Sequence, residues 1–173
     1  MTMVTKIARD DDVFLTESPT YGTPIHNFDT FRSTHTLLCN HDVVHRIAII
    51  ASEIPHHPAT ADFIKANVQH FDFAVHGWTH AEYQKWRRPA WVQNSLSRAV
   101  AAIEDTFGVS PKVFVPPWNK LSPIVRQVCA NLGLAIDESP FIGDIGNQRV
   151  DHVHFHSWNK KQVGMLREWL LRK

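Results

Sequence analysis

The stretch Phe71-Asp72-Phe73-Ala74-Val75-His76-Gly77-Trp78-Thr79-His80 decides the fold, because an apolar run ends directly in two histidines four residues apart. If the backbone after the run turns helically, His76 and His80 lie on one face and reach the same ion. In α/β folds the carboxyl ends of strands form the ligand crevice, so this position favours a metal site. The alternative is two surface histidines, since a chain with 12 His among 173 residues produces such spacings by chance.

Strands and helices alternate on both sides of this stretch. The predicted strands cover 6–9, 45–51, 71–75, 112–115, 134–137 and 150–156. The predicted helices cover 28–40, 59–70, 90–107, 122–131 and 162–171. Alternation with short connections predicts a parallel sheet that curls towards a barrel, and six strands are two short of a complete eightfold barrel.

Composition narrows the class of protein. With 173 residues, 43% of them hydrophobic, the chain is predicted to form one domain spanning residues 1–173. A formal charge of +1 and the absence of a basic block argue against a nucleic-acid partner. Cys39 and Cys129 are far apart and neither belongs to a CxxC pair, so any metal must be held by histidine and carboxylate.

No segment of the sequence indicates a membrane or an export signal. The first six residues lack an apolar signal core, and no apolar stretch is long enough to span a bilayer. We therefore expect no membrane partner and a cytoplasmic location, with release from a virus or from lysed cells as the alternative.

The run Asp10-Asp11-Asp12 follows the first predicted strand directly. Three adjacent carboxylates repel one another, and a folded protein tolerates them when a cation or hydrogen-bond donors compensate. A second group of metal ligands is one interpretation, and a solvated acidic turn is the other.

Further polar or aromatic residues follow other strands. Pro116-Pro117-Trp118-Asn119 ends the fourth strand. Alternation in the last strand places His152, His154 and His156 on one face and Val153 and Phe155 on the other. His56 and His57 mark a turn, and adjacent histidines point in different directions, which favours a loop role over metal ligation.

These segments, in this order, resemble the polysaccharide deacetylase (NodB-homology) family of metal-dependent carbohydrate esterases, over roughly Ile7 to Trp158. The resemblance implies a distorted, incomplete (β/α) barrel of about six or seven parallel strands. HGWTH resembles the family's H-(S/G)-x-(S/T)-H motif, which implies that His76 and His80 are metal ligands. The aspartate run resembles the family's Asp-Asp pair. The preferred register makes Asp11 the catalytic base and Asp12 the third ligand, with a shift by one residue as the alternative.

The remaining motifs imply further roles. Phe114 to Asn119 is similar to the family's F-R-P-P-(Y/F)-G turn, which implies that Pro117 and Trp118 line the substrate groove. The family's arginine, which orients the base, is replaced here by Val115; either another cation such as Arg9 substitutes for it or the base is tuned differently. The close of the last strand resembles the motif of the general acid, which favours His156 over His154.

Tryptophans accompany these motifs, and flat rings with one polar edge suit sugars, although six Trp in a small domain also fill a core. Trp118 and Trp158 are the predicted substrate-binding rings.

Two imidazoles and one carboxylate leave an open coordination position, as in catalytic zinc sites, so Zn²⁺ is the expected ion, with Co, Ni or Mn as alternatives. The expected function is removal of acetyl groups, from amides and by related chemistry from esters, on an N-acetylated polysaccharide, glycoconjugate or smaller substrate. The alternatives are a weak or inactive glycan-binding domain that keeps the metal, a hydrolase of another linear C–N bond, and a domain with structural histidines only. The oligomeric state is not predicted.

Overall fold

The computed structural model describes residues 6–17, 25–145 and 150–171. The strands are β1 (Ile7–Val13), β2 (Val44–Ile49), β3 (Phe71–Val75), β4 (Val113–Phe114), β5 (Ala135–Ile136) and β6 (His152–Phe155). The helices are α1 (Phe28–Cys39), α2 (Pro58–Ala66), α3 (Pro89–Phe107), α4 (Pro123–Asn131) and α5 (Lys160–Leu170). Short 3₁₀ turns occupy Ala51–His56, Val68–His70, Tyr83–Lys85 and Pro117–Asn119.

All six strands join one parallel sheet in the order β5-β4-β3-β2-β1-β6. Among the described residues β5 and β6 are the two edges of this sheet, and only an isolated bridge between Phe141 and His154 joins the segment after β5 to β6. The sheet is therefore curled without a complete closing strand pair, which confirms the predicted incomplete β/α barrel. Parallel order also brings every carboxyl strand end to the same rim, where the motifs lie.

Helices cover the outer face of the sheet. The larger hydrophobic cluster packs α1 to α4 against the central strands, with Phe31, Ile64, Leu96 and Val125 fully buried. A second cluster packs α5 against β1 and β6. Val153 and Phe155 belong to it, so the predicted alternation along the last strand is correct.

Local signals place most helix ends close to the predicted positions. The Asn27 side chain accepts a hydrogen bond from the Thr30 amide at the start of α1, and Ser122 caps α4 in the same way. Gly108 ends α3 in a left-handed conformation, with φ of +70°. A small cluster on the inner face of the sheet contains Ala48, Ala74 and Val115.

Two local predictions are wrong. The first strand does not stop at Arg9, because β1 continues through all three aspartates to Val13. The HGWTH segment also contains no helical turn, and the chain bends at Trp78, Thr79 and His80. Gly77 has φ of +111°, a conformation that L side chains rarely adopt, and this redirects the chain after β3.

Within the described residues, no helix combines the length and the apolarity that crossing a bilayer would require.

Candidate metal centre

Asp12, His76 and His80 converge at the rim although 64 positions separate the first two. The His76 Nε2 and His80 Nε2 atoms lie 3.3 Å and 3.1 Å from Asp12 Oδ1. The three residues can each present one ligand atom with all of these atoms within 4.8 Å of one another. The predicted ligands are therefore brought together, with Asp12 in the position of the carboxylate.

Backbone geometry produces this convergence. The register between β1 and β2 shifts between Asp10 and Val13, and Asp12 itself has φ of +63°. Asp12 therefore leaves the simple alternation of the strand and turns towards the end of β3. A side chain on Gly77 would collide with the Tyr83 hydroxyl and lie 2.8 Å from the Thr79 carbonyl oxygen, so close packing there requires glycine.

The hydrogen bonds around this cluster match a cation site. His76 Nδ1 lies 2.9 Å from the Val115 carbonyl oxygen, which only an N–H can satisfy, so in the neutral ring the Nε2 lone pair faces Asp12. Asp12 Oδ1 is buried and accepts no hydrogen bond from any described residue. Lone pairs that face a carboxylate oxygen repel it unless a cation lies between them, so these residues fit a divalent ion.

Asp11 has a different environment from Asp12. Arg9 donates to both of its carboxylate oxygens, from Nε to Oδ1 at 2.7 Å and from Nη2 to Oδ2 at 2.8 Å. Burial alone would raise the pKa of the Asp11 carboxyl, but the charge of Arg9 and its hydrogen bonds hold that pKa below its usual value. Asp11 is therefore ionised at neutral pH beside the cluster, and Arg9 occupies the position of an orienting cation.

Asp137 is a residue that the sequence did not single out. It follows β5, and its side chain accepts from Arg9 Nη1 at 3.1 Å and from Arg46 Nη1 at 2.6 Å. Burial opposes its ionisation, but the Arg9 charge and bonds from Ser139 and Arg46 lower the pKa of Asp137. Its only sequence signal is a lone aspartate at the carboxyl end of a strand.

Asp10 points to the opposite face of β1 and is fully buried. Its Oδ1 accepts the Ser157 amide at 2.7 Å, and its Oδ2 lies 3.4 Å from His45 Nε2. The hydrogen bond from the Ser157 amide connects β1 to the segment after β6, next to His156. Asp10 thus lies on the opposite side of β1 from Asp11 and Asp12, and the register of the aspartate pair stays a prediction.

His156 lies at the rim, with Nε2 3.3 Å from Asp12 Oδ2. Its Nδ1 is 2.9 Å from Gln162 Oε1, an acceptor, so Nδ1 carries a proton. Burial would lower the pKa of His156, but the hydrogen bond and charge of Asp12, together with the Asp11 charge, raise it to about 9. The ring is therefore protonated at neutral pH in the metal-free protein.

His154 is more enclosed than His156. Its Nδ1 donates to the Ser139 carbonyl oxygen at 2.7 Å, and its ring packs against Phe141. Burial lowers the pKa of His154, although the Asp11 charge opposes that effect. His152 is exposed. Among these three histidines, His156 is the one in contact with Asp12.

The predicted groove residues Pro117, Trp118 and Trp158 differ in how exposed they are beside this cluster. Trp118 is 45% exposed, and its ring lies 4.9 Å from that of His80, measured between centroids. Pro117 is buried beneath it. Trp158 packs partly against Leu15 and neighbouring apolar residues, with its ring 5.1 Å from His156. Trp118 and Trp158 thus flank the rim on the His80 and His156 sides.

His56 and His57 lie outside the metal-ligand group. His57 Nε2 is 3.0 Å from the Thr16 hydroxyl. The structure thus gives His57 a loop contact, in agreement with the interpretation that the sequence favoured.

A family model described as polysaccharide deacetylase matches residues 28–136 of this chain. That range includes both histidines of the cluster and the Pro117-Trp118 turn.

Solved structures with the same fold support this match. A family 4 carbohydrate esterase from Streptomyces lividans, solved with acetate, superposes with a TM-score of 0.70 at 18% identity, covering 96% of this chain and 85% of the other. The peptidoglycan deacetylase PdaC from Bacillus subtilis gives 0.71 at 14% identity, with 96% and 81% covered. A pseudoenzyme of that esterase family from Bacillus anthracis gives 0.70 at 11% identity, with 96% and 60% covered.

Proposed function

Because the chain belongs to the polysaccharide deacetylase family, we propose that it is a metal-dependent hydrolase that removes acetyl groups from an N-acetylated polysaccharide or glycoconjugate. The observation that carries this proposal is the separation of two adjacent carboxylates. Asp12 faces two imidazoles, whereas Asp11 is held by Arg9. One carboxylate is thus suited to binding a cation and the other to accepting a proton.

Asp12, His76 and His80 would hold the ion, with Zn²⁺ as the favoured candidate for this donor set. Such an ion lowers the pKa of bound water and polarises an acetyl carbonyl. The Val115 carbonyl fixes the tautomer of His76 and keeps its Nε2 available as a ligand.

Asp11 would act as the general base. Arg9 binds both of its oxygens along one edge of the carboxylate, which fixes the plane of the group and leaves the other lone pairs to accept a proton from water. The cost of burying Asp11 is offset by this bidentate pair. In the family the cation that orients the base is an arginine just before the Pro-Pro turn, where this chain has Val115. Here Arg9 of β1 would take that role.

His156 would act as the general acid, because an amine leaves poorly unless it is protonated. Gln162 holds the Nδ1 proton, so Nε2 is the atom that donates. Trp118 and Trp158 on either side would pack against sugar rings. We further propose that residues 1–173 work as one catalytic domain. The cytoplasmic location stays a prediction.

A second candidate function is a glycan-binding domain without activity. Val115 in the place of the family's arginine favours it, since the base then depends on a cation from another strand.

Acetate release from N-acetylglucosamine hexamers and from peptidoglycan fragments tests the first proposal against the second. Zinc-loaded protein is expected to release acetate, and the Asp11→Asn variant is the matched inactive control. Binding of both substrates without acetate release would overturn the hydrolase proposal and support the binding domain. Release of another acid or amine from non-sugar amides alone would indicate a hydrolase of a different C–N bond.

A further inference from the structure

A surface of stacked arginines and tryptophans begins at the metal-ligand segment. Trp78 lies between His76 and His80 in the chain, and the Arg98 guanidinium lies 3.7 Å from the centroid of its ring. Arg88 lies in the same way 4.7 Å from the centroid of Trp91. We call Arg88, Trp91, Arg98 and Trp78 the arginine–tryptophan surface.

Trp91 and Arg98 lie on one side of α3, Arg88 is its N-cap residue, and Trp78 lies against Arg98. Trp91 and Arg98 are seven residues apart, which is two helical turns and about 10 Å. Ser95, between them, hydrogen bonds at 2.8 Å to the Tyr83 hydroxyl, which also accepts the Trp78 amide. The surface is therefore attached to the HGWTH segment and is continuous with it.

All charged residues in the segment around the arginine–tryptophan surface are positive. From Tyr83 to Ile103 the sequence contains four cationic residues and no Asp or Glu. Lys85 pairs with Glu82, but among the described residues neither Arg88 nor Arg98 forms an ion pair. Trp91 is 54% exposed, which is unusual for a large apolar side chain. The chain as a whole has a formal charge of only +1, so this excess is local.

Stacking prepares these arginines to bind anions. A guanidinium that lies over an aromatic ring loses less conformational freedom on binding, and its N–H groups can still donate to an anion. Those N–H groups match the two oxygens of a carboxylate. The exposed part of the Trp91 side chain adds a platform on which a sugar ring can pack.

We propose that the arginine–tryptophan surface binds a glycan strand whose sugars carry carboxylates and directs that strand to the metal-ligand cluster. This assignment rests on the proposed deacetylase function, which supplies the N-acetylated polymer, and it narrows the substrate class to acidic glycans. Arg88 and Arg98, the two groups that would bind carboxylates, are ten residues apart, which is about 15 Å along the helix. A glycan with carboxylates repeated along its chain can therefore contact both arginines.

Fluorescence anisotropy with labelled oligosaccharides tests this proposal without requiring turnover. The probes are a hyaluronan oligomer, in which N-acetylglucosamine alternates with glucuronate, and a neutral N-acetylglucosamine hexamer. At low salt the hyaluronan oligomer is expected to bind about tenfold more tightly than the neutral hexamer. The Arg88→Gln/Arg98→Gln double variant is expected to lose most of that preference.

The control variant Lys65→Gln/Lys161→Gln removes two exposed cations from α2 and α5, and its affinity is expected to change by less than about twofold. Equal binding of both probes, or equal losses in the two double variants, would overturn the proposal. Binding of a deoxythymidine oligonucleotide as tight as that of hyaluronan would indicate a nucleic-acid surface and overturn it as well. Arginine-dependent hyaluronan binding without acetate release would contradict the deacetylase function alone.

Discussion

Arg9 and Asp11 lie on the same strand, two residues apart, and form a bidentate ion pair inside the barrel, with N–O distances of 2.7 and 2.8 Å. Arg9 is fully buried and makes further bonds to Asp137 and Asn119. It therefore connects the predicted base to the loops after β4 and β5. Val115, where the family has arginine, lies on the same inner face without a charge.

Replacing Arg9 by lysine keeps the charge but removes the fork that fixes the carboxylate plane. We expect Arg9→Lys to lower kcat by about 10- to 100-fold, as changes to such supporting contacts do. Bound metal is expected to remain, because Arg9 does not contact the ligand group. Arg126→Lys, in the exposed pair with Glu138, is the control. Loss of metal together with activity would contradict an orienting role.

One pair of variants distinguishes the proposed roles of Asp11 and Asp12. Asp12→Ala is expected to lose both bound metal and acetate release, since it removes the carboxylate ligand. Asp11→Asn is expected to keep the metal and to lower kcat by about 10²- to 10⁴-fold, the usual contribution of a general base. Elemental analysis and acetate assays on the same samples measure both properties. The reverse pattern would show that the register is wrong by one residue.

The effect of removing the proposed general acid, His156, should depend on the leaving group of the substrate. His156→Asn is expected to lower deacetylation of an N-acetyl sugar by about 10²- to 10⁴-fold. It should affect hydrolysis of an activated aryl acetate much less, because that group leaves without a proton. His154→Asn is the matched control, since its amide can still donate to the Ser139 carbonyl. If His154→Asn shows the larger loss on the amide substrate, the roles are exchanged.

A buried histidine distant from the site predicts acid sensitivity. His35 is 4% exposed, and burial, followed by His45 and His70, lowers the pKa of His35 to about 4. Between pH 6.5 and 4, His35 is therefore protonated in the unfolded chain but stays neutral in the folded protein. Its contribution to stability is present above pH 6.5 and is lost as pH falls, by up to about 3 kcal/mol. Denaturation of metal-free protein from pH 7 to 4 should show this loss, and His35→Gln should reduce it. An unchanged slope would contradict the assignment.

Several parts of the fold follow from local patterns. Phe71–Val75 is the predicted strand to the residue, and the caps at Ser122 and Gly108 lie where their residue types favour them. The aspartate run was harder to predict. The charges of this strand are compensated by Arg9, two residues from Asp11 on the same strand, and by His45 of β2, which faces Asp10. A local sequence window contains only the first of these partners.

The sequence predicted which residues form the candidate site better than it predicted the backbone geometry and the contacts that bring them together. Histidines four residues apart do converge, but through the positive φ of Gly77 and the bends that follow it instead of a helical turn. Asp137 was missed because its partners, Arg9 and Arg46, become neighbours only when β5 joins the sheet. The spacing of residues along the chain carries no record of such contacts between distant strands.

Calorimetric titration of Zn²⁺ into the metal-free protein at pH 7 tests the central claim most directly. The wild-type protein is expected to bind one ion per chain, and His80→Ala, with an unchanged circular dichroism spectrum, is expected to lose that binding. Absence of binding by the wild type, or undiminished binding by His80→Ala, would contradict a metal centre built from Asp12, His76 and His80.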